Sequence, residues 1–343
     1  MDSQPEISDM DIWYEPNGRH RLLTRNGFLN FVVGGRGTGK TFSFKKWAIT
    51  DERYETVWIR RYQDDVERLE KKFLSDLYGE GVLTPEDDVR IEDHVLYIGK
   101  SPKIYFVGLN TARKVKSQSF HNVDKIIYDE VFELEKNAKY LKMEVDLFLE
   151  LLETVNRLRV DGRREVRCFF LSNKTTFVNP YFTYWGIIPF EGEFKTFKDG
   201  LIVVQNYENE SFKEVKRQTN FGRLVAGTKY GDYAVENKVW LDDNGLIEKK
   251  PVNCRLICNI RWEDKYLGVW ESPNMILYVS NQYNKGNRPT FTTKYEVKDD
   301  EYPLIPKNNP FRMLVAALEN GVLRFEDNVV KNIIYLIIQQ GGK

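Results

Sequence analysis

The chain has 343 residues, 41% hydrophobic and 30% charged, a balance that excludes a disordered or fibrous protein and allows two domains, or one large domain with an appendage. Its 51 lysines and arginines cancel its 51 aspartates and glutamates, so a nucleic-acid partner would have to be held by local basic patches and not by the overall field. No apolar run approaches the roughly 18 residues of a membrane span. The three cysteines (Cys168, Cys254, Cys258) and three scattered histidines (His20, His94, His121) exclude a disulfide framework, a metal cluster and a catalytic triad, and point to a reducing compartment.

The start, MDSQPEISDMDIW, is acidic and polar and lacks the basic and apolar regions of a signal peptide. LNFVV then reads as a short buried strand, GGRGTGKT as a loop and TFSFKKWAI as an amphipathic helix. Gly34, Gly39, Lys40 and Thr41 fill every fixed position of the pattern G-x-x-x-x-G-K-[ST]. Glycines let successive backbone N–H groups turn toward phosphate oxygens, and the helix that begins at the lysine adds its positive end. The loop Gly34, Gly35, Arg36, Gly37, Thr38, Gly39, Lys40, Thr41 is therefore expected to bind a nucleoside triphosphate. Lys40 would reach the β- and γ-phosphates, and the Thr41 hydroxyl would ligate Mg²⁺.

ETVWIRRY reads as a strand beside the strand of this loop, QDDVERLEKKFLSDLY as a helix with a charged outer face, and HVLYIGKSPKIYFVGL as a hairpin turning at GKSP. VDKIIYDEVF is a second buried strand that ends in two acids. There Asp129 would hold the Mg²⁺, and Glu130 would polarise the attacking water. A third strand, VRCFFLSN, would deliver Asn173 to the same sheet edge, where ligands collect in open α/β sheets. Between them lies the arginine-rich ETVNRLRVDGRREVR, from which one arginine could reach the γ-phosphate of an adjacent subunit. Residue types alone do not choose among Arg157, Arg159, Arg163 and Arg164.

Alternating strands and helices to about residue 210 make an α/β nucleotide-binding domain. Residues 211–245 change texture: basic residues with Gly222, Gly227 and Gly231 describe a linker subdomain in short pieces. From residue 246 to 343 a second module follows, with strands at NCRLICNIRW, YLGVWES and NMILYVSNQ and helices near Phe311 to Glu319 and Asp327 to Gln340.

GGRGTGKT, the strand ending YDE, ETVNR, RCFFLSN with VNPYF, FGRLVAGTKYG and YLGVW occur in an order and spacing that resemble the DNA-packaging ATPases of phi29-like short-tailed phages, along nearly the whole chain. The resemblance implies an additional-strand catalytic-glutamate ATPase core, a small linker subdomain and an α+β RNase H-like domain that has lost its nuclease site. It implies ATP-driven translocation of double-stranded viral DNA into a preformed capsid by a homomeric ring, pentameric in that family. The ring would work in the host cytoplasm, docked transiently on the portal of the procapsid, in some systems through a packaging RNA. ATP and Mg²⁺ are the implied cofactors. By position, Lys40 and Thr41 are the phosphate and Mg²⁺ residues, Asp129 and Glu130 the metal ligand and the catalytic glutamate, and Arg157, which closes ETVNR, the arginine acting on the neighbour's nucleotide. Asn173 joins the catalytic set from its strand position alone, as a sensor that would hydrogen-bond the γ-phosphate or the attacking water. Gln63 departs from the family's best-known member, which has a lysine after the same Arg-Arg-Tyr. The rival readings are a ring helicase or DNA-remodelling ATPase, which shares every motif of the first half, and an active nuclease with a regulatory ATPase. Against the nuclease stands Asn259, in the strand where a two-metal site needs a carboxylate.

Overall fold

The computed structural model describes residues 12–18, 22–117, 120–132, 140–157, 165–173, 178–188, 190, 192–236, 246–286, 288–293 and 297–341. The chain forms two compact units, Met1–Thr175 with Phe190–Trp240, and Thr176–Pro189 with Leu241–Lys343.

The first unit is built on a nine-stranded sheet. Its strands are β1 (Leu29–Gly34), β2 (Glu55–Arg60), β3 (Val89–Glu92), β4 (Val95–Ile98), β5 (Ser101–Gly108), β6 (Val123–Asp129), β7 (Arg167–Asn173), β8 (Phe194–Phe197) and β9 (Ile202–Tyr207), in the order β3-β4-β5-β2-β6-β7-β1-β9-β8. The six central strands run parallel, and β3, β4 and β8 add antiparallel edges. Parallel strands covered on both faces need apolar residues, which is why β1, β6 and β7 carry the runs FVV, IIY and CFFL. The buried polar exceptions have partners: Asn30 donates to the carbonyls of Gly27 and Cys168, and Lys125 pairs with Asp51 and Asp124. Helices α1 (Lys40–Thr50) and α2 (Gln63–Gly79) bring Phe44 and Phe73 into one core with Trp58, Phe106 and Phe169. On the alternate side-chain positions of the strands, Phe31 stacks on Phe170 at 4.3 Å, and Phe148 of α3 (Glu144–Asn156) meets Phe170 at 4.8 Å.

The neighbours of the phosphate-loop strand differ from the one the sequence suggests. ETVWIR is not beside β1, because β6 and β7 intervene and β1 lies between β7 and β9. Insertion of β7 between the phosphate-loop strand and the acid-bearing strand is what makes this an additional-strand ATPase core. A helical crossover lets the chain skip positions in a parallel sheet, so sequence order does not dictate strand order. The hairpin at Gly99-Lys100 and the helix after Tyr62 fall where the sequence puts them.

Helix α4 (Pro180–Trp185) groups with the second unit, whereas the run α5 (Glu210–Gln218), α6 (Asn220–Val225) and α7 (Lys229–Ala234) groups with the first. The second unit holds a six-stranded sheet, ordered β14-β13-β10-β11-β12-β15. Its strands are β10 (Arg255–Trp262), β11 (Lys265–Glu271), β12 (Leu277–Ser280), β13 (Thr290–Thr292), β14 (Glu301–Pro303) and β15 (Leu323–Phe325). An antiparallel β10-β11-β12 meander extended on the β10 side by two parallel strands is the arrangement of an RNase H-like sheet. Helices α8 (Asn309–Glu319) and α9 (Asn328–Gly341) contribute Phe311, Leu314, Ile333 and Ile337 to its core. Asn308 caps α8 through Phe311 N–H, and Asp327 accepts from Val330 N–H at the start of α9.

Candidate nucleotide site

The phosphate loop leaves β1 at Gly34 and re-enters regular structure at Lys40, the first residue of α1. Gly37 and Gly39 take φ of 84° and 86°, a region that costs a side chain energy and glycine none. No side chain caps α1 at Gly39, so the N-terminal N–H groups stay available to an anion. The loop's carbonyls have defined partners. Lys40 Nζ donates to Gly34 O at 3.0 Å and Gly35 O at 2.5 Å, Tyr14 N–H donates to Thr38 O at 2.9 Å, and Lys216 Nζ donates to Arg36 O at 3.0 Å. Lys40 is 6% exposed. Burial pushes its ammonium down to about 7, opposed by the nearby Asp129 charge and assisted by Lys216.

The parallel register brings three strand ends together. Gly34 lies opposite Asn173 on β7, and Leu171 of β7 lies opposite Asp129 on β6. Thr41 Oγ1 donates to Asp129 Oδ1 at 3.0 Å, a link between the first turn of α1 and the end of β6 across 88 residues of sequence. The site thus joins the loop, Thr41, Asp129 and Asn173 at one sheet edge. Glu130 follows at φ 57°, its side chain exposed and its N–H donating to Asp129 Oδ1 at 3.1 Å.

Two arginines at the end of β2 complete this edge, and sequence reasoning assigned them no role. Arg60 donates from Nη2 to Asp129 Oδ2 at 2.9 Å and from Nη1 to Glu130, so one guanidinium spans both acids. Burial alone would lower the pKa of Arg60, but the two carboxylates outweigh it and raise it. Arg61 is buried and grips Glu144 at 2.7 and 3.1 Å as well as Val131 O at 2.6 Å. Tyr128 OH and Leu141 N–H donate to the same Glu144 carboxylate. This network pins the segment after the acids to the start of α3. A signal was present: adjacent arginines where a buried parallel strand reaches the ligand edge of a sheet. Gln63 turns away from the acids, its Oε1 accepting from Gly108 N–H at 3.1 Å and Thr111 Oγ1 at 2.9 Å.

Arg157 closes α3 as its C-cap, with an exposed side chain. The other candidates for a trans-acting arginine, Arg159, Arg163 and Arg164, lie outside the described residues.

A hydroxyl and a carboxylate oxygen side by side are hard oxygen donors, the set that suits Mg²⁺. Thr41 and Asp129 therefore fit that ion.

The family described as podovirus DNA encapsidation protein (Gp16) matches residues 8–341. The chain belongs to this family. Among its relatives, the DNA packaging protein of Bacillus phage PZA is 30% identical over 342 residues, covering 97% of this chain and 98% of the relative. That of Bacillus phage phi29 is 29% identical over the same coverage. The fold matches the bacteriophage phi29 viral genome packaging motor assembly with a TM-score of 0.70 and 27% identity, over 96% of this chain and 99% of that one. The N-terminal domain of the phi29 DNA packaging ATPase superposes with a TM-score of 0.51 and 27% identity, over 58% of this chain and 98% of that domain. The function of this chain is viral DNA packaging.

In the second unit, Asn259 has a structural use. Asn259 Nδ2 donates to the carbonyls of Asn284 and Arg288 at 3.0 and 3.1 Å, and its Oδ1 accepts from Asn284 N–H at 3.0 Å. All of its hydrogen-bonding capacity but one lone pair holds the segment between β12 and β13. Glu271 pairs with Arg255, and no group of three or more His, Cys, Asp or Glu side chains with metal-binding geometry occurs among the described residues.

Proposed function

We propose that this protein hydrolyses ATP at the edge formed by β1, β7 and β6 and uses the energy to drive double-stranded DNA into a preformed capsid. The observation that carries this reading is the hydrogen bond between Thr41 and Asp129, which joins the phosphate loop to the catalytic acids.

The N–H groups of the loop and of the first turn of α1 would cradle the phosphates, and Lys40 would exchange the carbonyls of Gly34 and Gly35 for β- and γ-phosphate oxygens. Thr41 and Asp129 would hold Mg²⁺, which neutralises charge on the phosphates. Arg60 holds Glu130 against Asp129, so productive binding requires that pair to loosen and free Glu130 to take the proton of the attacking water. Asn173, at the end of β7, is suited to hydrogen-bond that water or the γ-phosphate.

Arg157, exposed at the end of α3, would reach the nucleotide of an adjacent subunit in a ring, with five subunits as in the resembling family. The motor domain expected over residues 1–210 would then lack Thr176–Pro189, which group with the second unit, and the linker expected over 211–245 would belong to the motor unit as far as Trp240. The RNase H-like domain expected over 246–343 would be without nuclease activity. The ring would dock on the portal of the procapsid in the host cytoplasm, directly or through a packaging RNA.

The test is steady-state ATP hydrolysis by the purified chain, with double-stranded DNA titrated at low and moderate salt. Stimulation by DNA that fades as salt rises supports phosphate-backbone contacts coupled to turnover. Turnover that ignores DNA both alone and with empty portal-bearing capsids would overturn the reading.

A further inference from the structure

Lys216 is unlike the other partners of the phosphate loop. Tyr14 and Lys40 lie in or before the loop's own strand-loop-helix unit, but Lys216 comes from α5, 180 residues beyond the Arg36 carbonyl it holds. The same ammonium donates to Ala234 O at 2.6 Å, at the end of α7. One half-buried side chain therefore ties the exposed tip of the loop to the last turn of a run of three helices. Its neighbour Phe212 closes the contact: the ring lies 5.3 Å from the Lys216 ammonium and within 3.6 Å of where a Cβ on Gly37 would stand. Lys216 also contributes to the lowered pKa of Lys40, so its charge reaches the phosphate site.

The helices that receive this tie leave little slack. Thr219 accepts from Gly222 N–H and Thr228 from Gly231 N–H, each at 3.0 Å, so α6 and α7 begin with the same threonine cap. A Cβ on Gly222 would overlap the carbonyl of Lys216, and one on Gly231 would overlap that of Val225. The sequences TNFG and TKYG are thus two copies of one close-packing device. Arg217 adds a second staple from α5 to Glu236, through Nε at 2.8 Å and Nη2 at 2.5 Å.

We propose that Lys216 is a positioning residue that couples occupancy of the phosphate loop to the placement of α7. The inference rests on the nucleotide-site reading above. When the loop wraps phosphates, its N–H groups turn inward and its carbonyls outward. Lys216 holds the outward carbonyl at Arg36 and adds positive charge beside the anion. Holding α7 in place therefore preorganises the loop, and by reciprocity an ordered loop holds α7.

The experiment uses the full chain and a non-hydrolysable ATP analogue with Mg²⁺, with affinity read by calorimetry and backbone exchange read over residues 229–236. In the wild type the analogue is expected to slow exchange in α7 as well as in the loop. Lys216→Met should weaken the analogue about tenfold, the size of a lost charged hydrogen bond. It should abolish the slowing in α7 while sparing the loop, and raise KM more than it lowers kcat. Lys216→Arg, which keeps the charge and both donors, should stay within about threefold of wild type. Gly231→Ala displaces α7 without touching the loop and should also weaken the analogue. Unchanged affinity in both Lys216→Met and Gly231→Ala, or slowing of α7 that persists in Lys216→Met, would overturn the coupling. Failure of the wild type to bind the analogue would instead overturn the nucleotide site on which the coupling depends.

Discussion

The two sheets of this protein both hold polar groups, and those at the ligand edge of the first are used differently from those inside the second. In the first unit, Lys40, Thr41, Arg60, Asp129 and the exposed Glu130 meet at strand ends, and under the proposed reading a nucleotide would replace their present partners: Lys40 rests on backbone carbonyls and Arg60 on both acids. In the second unit, Asn259 is spent on the segment between β12 and β13, and buried Arg261 is locked to Glu301 at 2.6 and 2.7 Å. Polar groups with exchangeable partners can do chemistry. Polar groups whose partners belong to the fold stabilise it.

That contrast can be broken or sharpened by experiment. The largest effect belongs to Arg157→Ala, which should lower turnover of the assembled protein by about 10³- to 10⁵-fold if it acts as an arginine finger. Mixed substoichiometrically with wild type, it should suppress activity more than in proportion, whereas linear dilution would count against action in trans. Next, Glu130→Gln should reduce turnover by about 10²- to 10⁴-fold while nucleotide binding persists. Turnover within tenfold of wild type would remove Glu130 from the chemistry.

On the other side of the comparison, Asn259→Asp should leave ATP turnover intact and destabilise the second unit by about 3 kcal/mol, because a carboxylate cannot donate to the carbonyls of Asn284 and Arg288. Denaturant melts would read this, and gain of Mn²⁺-dependent cleavage of plasmid DNA would show that the site retains more nuclease character than its hydrogen bonds indicate.

The smallest effect is on pH. Burial lowers Lys40 to about 7 in the free loop, and a bound polyphosphate would raise it again. Binding then takes up a proton above pH 7, so affinity should be full below that pH and decline above it by at most about tenfold per unit. Calorimetry between pH 6.5 and 8.5, in buffers of different ionisation enthalpy, checks the sign. Affinity that rises with pH would contradict it.

Legibility followed the distance along the chain over which each feature is specified. The phosphate loop is contiguous, so its glycines, Lys40 and Thr41 announce themselves in eight residues. Asp129 and Glu130 are legible because an apolar run ends in charge at a parallel strand's end. Arg60 and Arg61 escaped notice because their partners lie 69 and 83 positions away, and an arginine at a strand end has many possible uses. Lys216 escaped for the same reason, compounded by a partner that is backbone and carries no side-chain signature. Arg157 is a different case: its proposed partner belongs to another subunit, so the fold of one chain does not reach it.

By itself the sequence determined the glycine-rich strand-loop-helix, the acid-bearing strand, the succession of an α/β unit and a β-rich unit, and through its ordered motifs the family. These depend on local backbone chemistry and on the periodicity of apolar residues, both written in neighbouring positions. Only the tertiary structure decided that β7 stands between β1 and β6, that Arg60 spans both acids and that α7 is tied to the phosphate loop. Each is a pairing between remote segments, chosen by which faces could be buried together and not by any one stretch of chain.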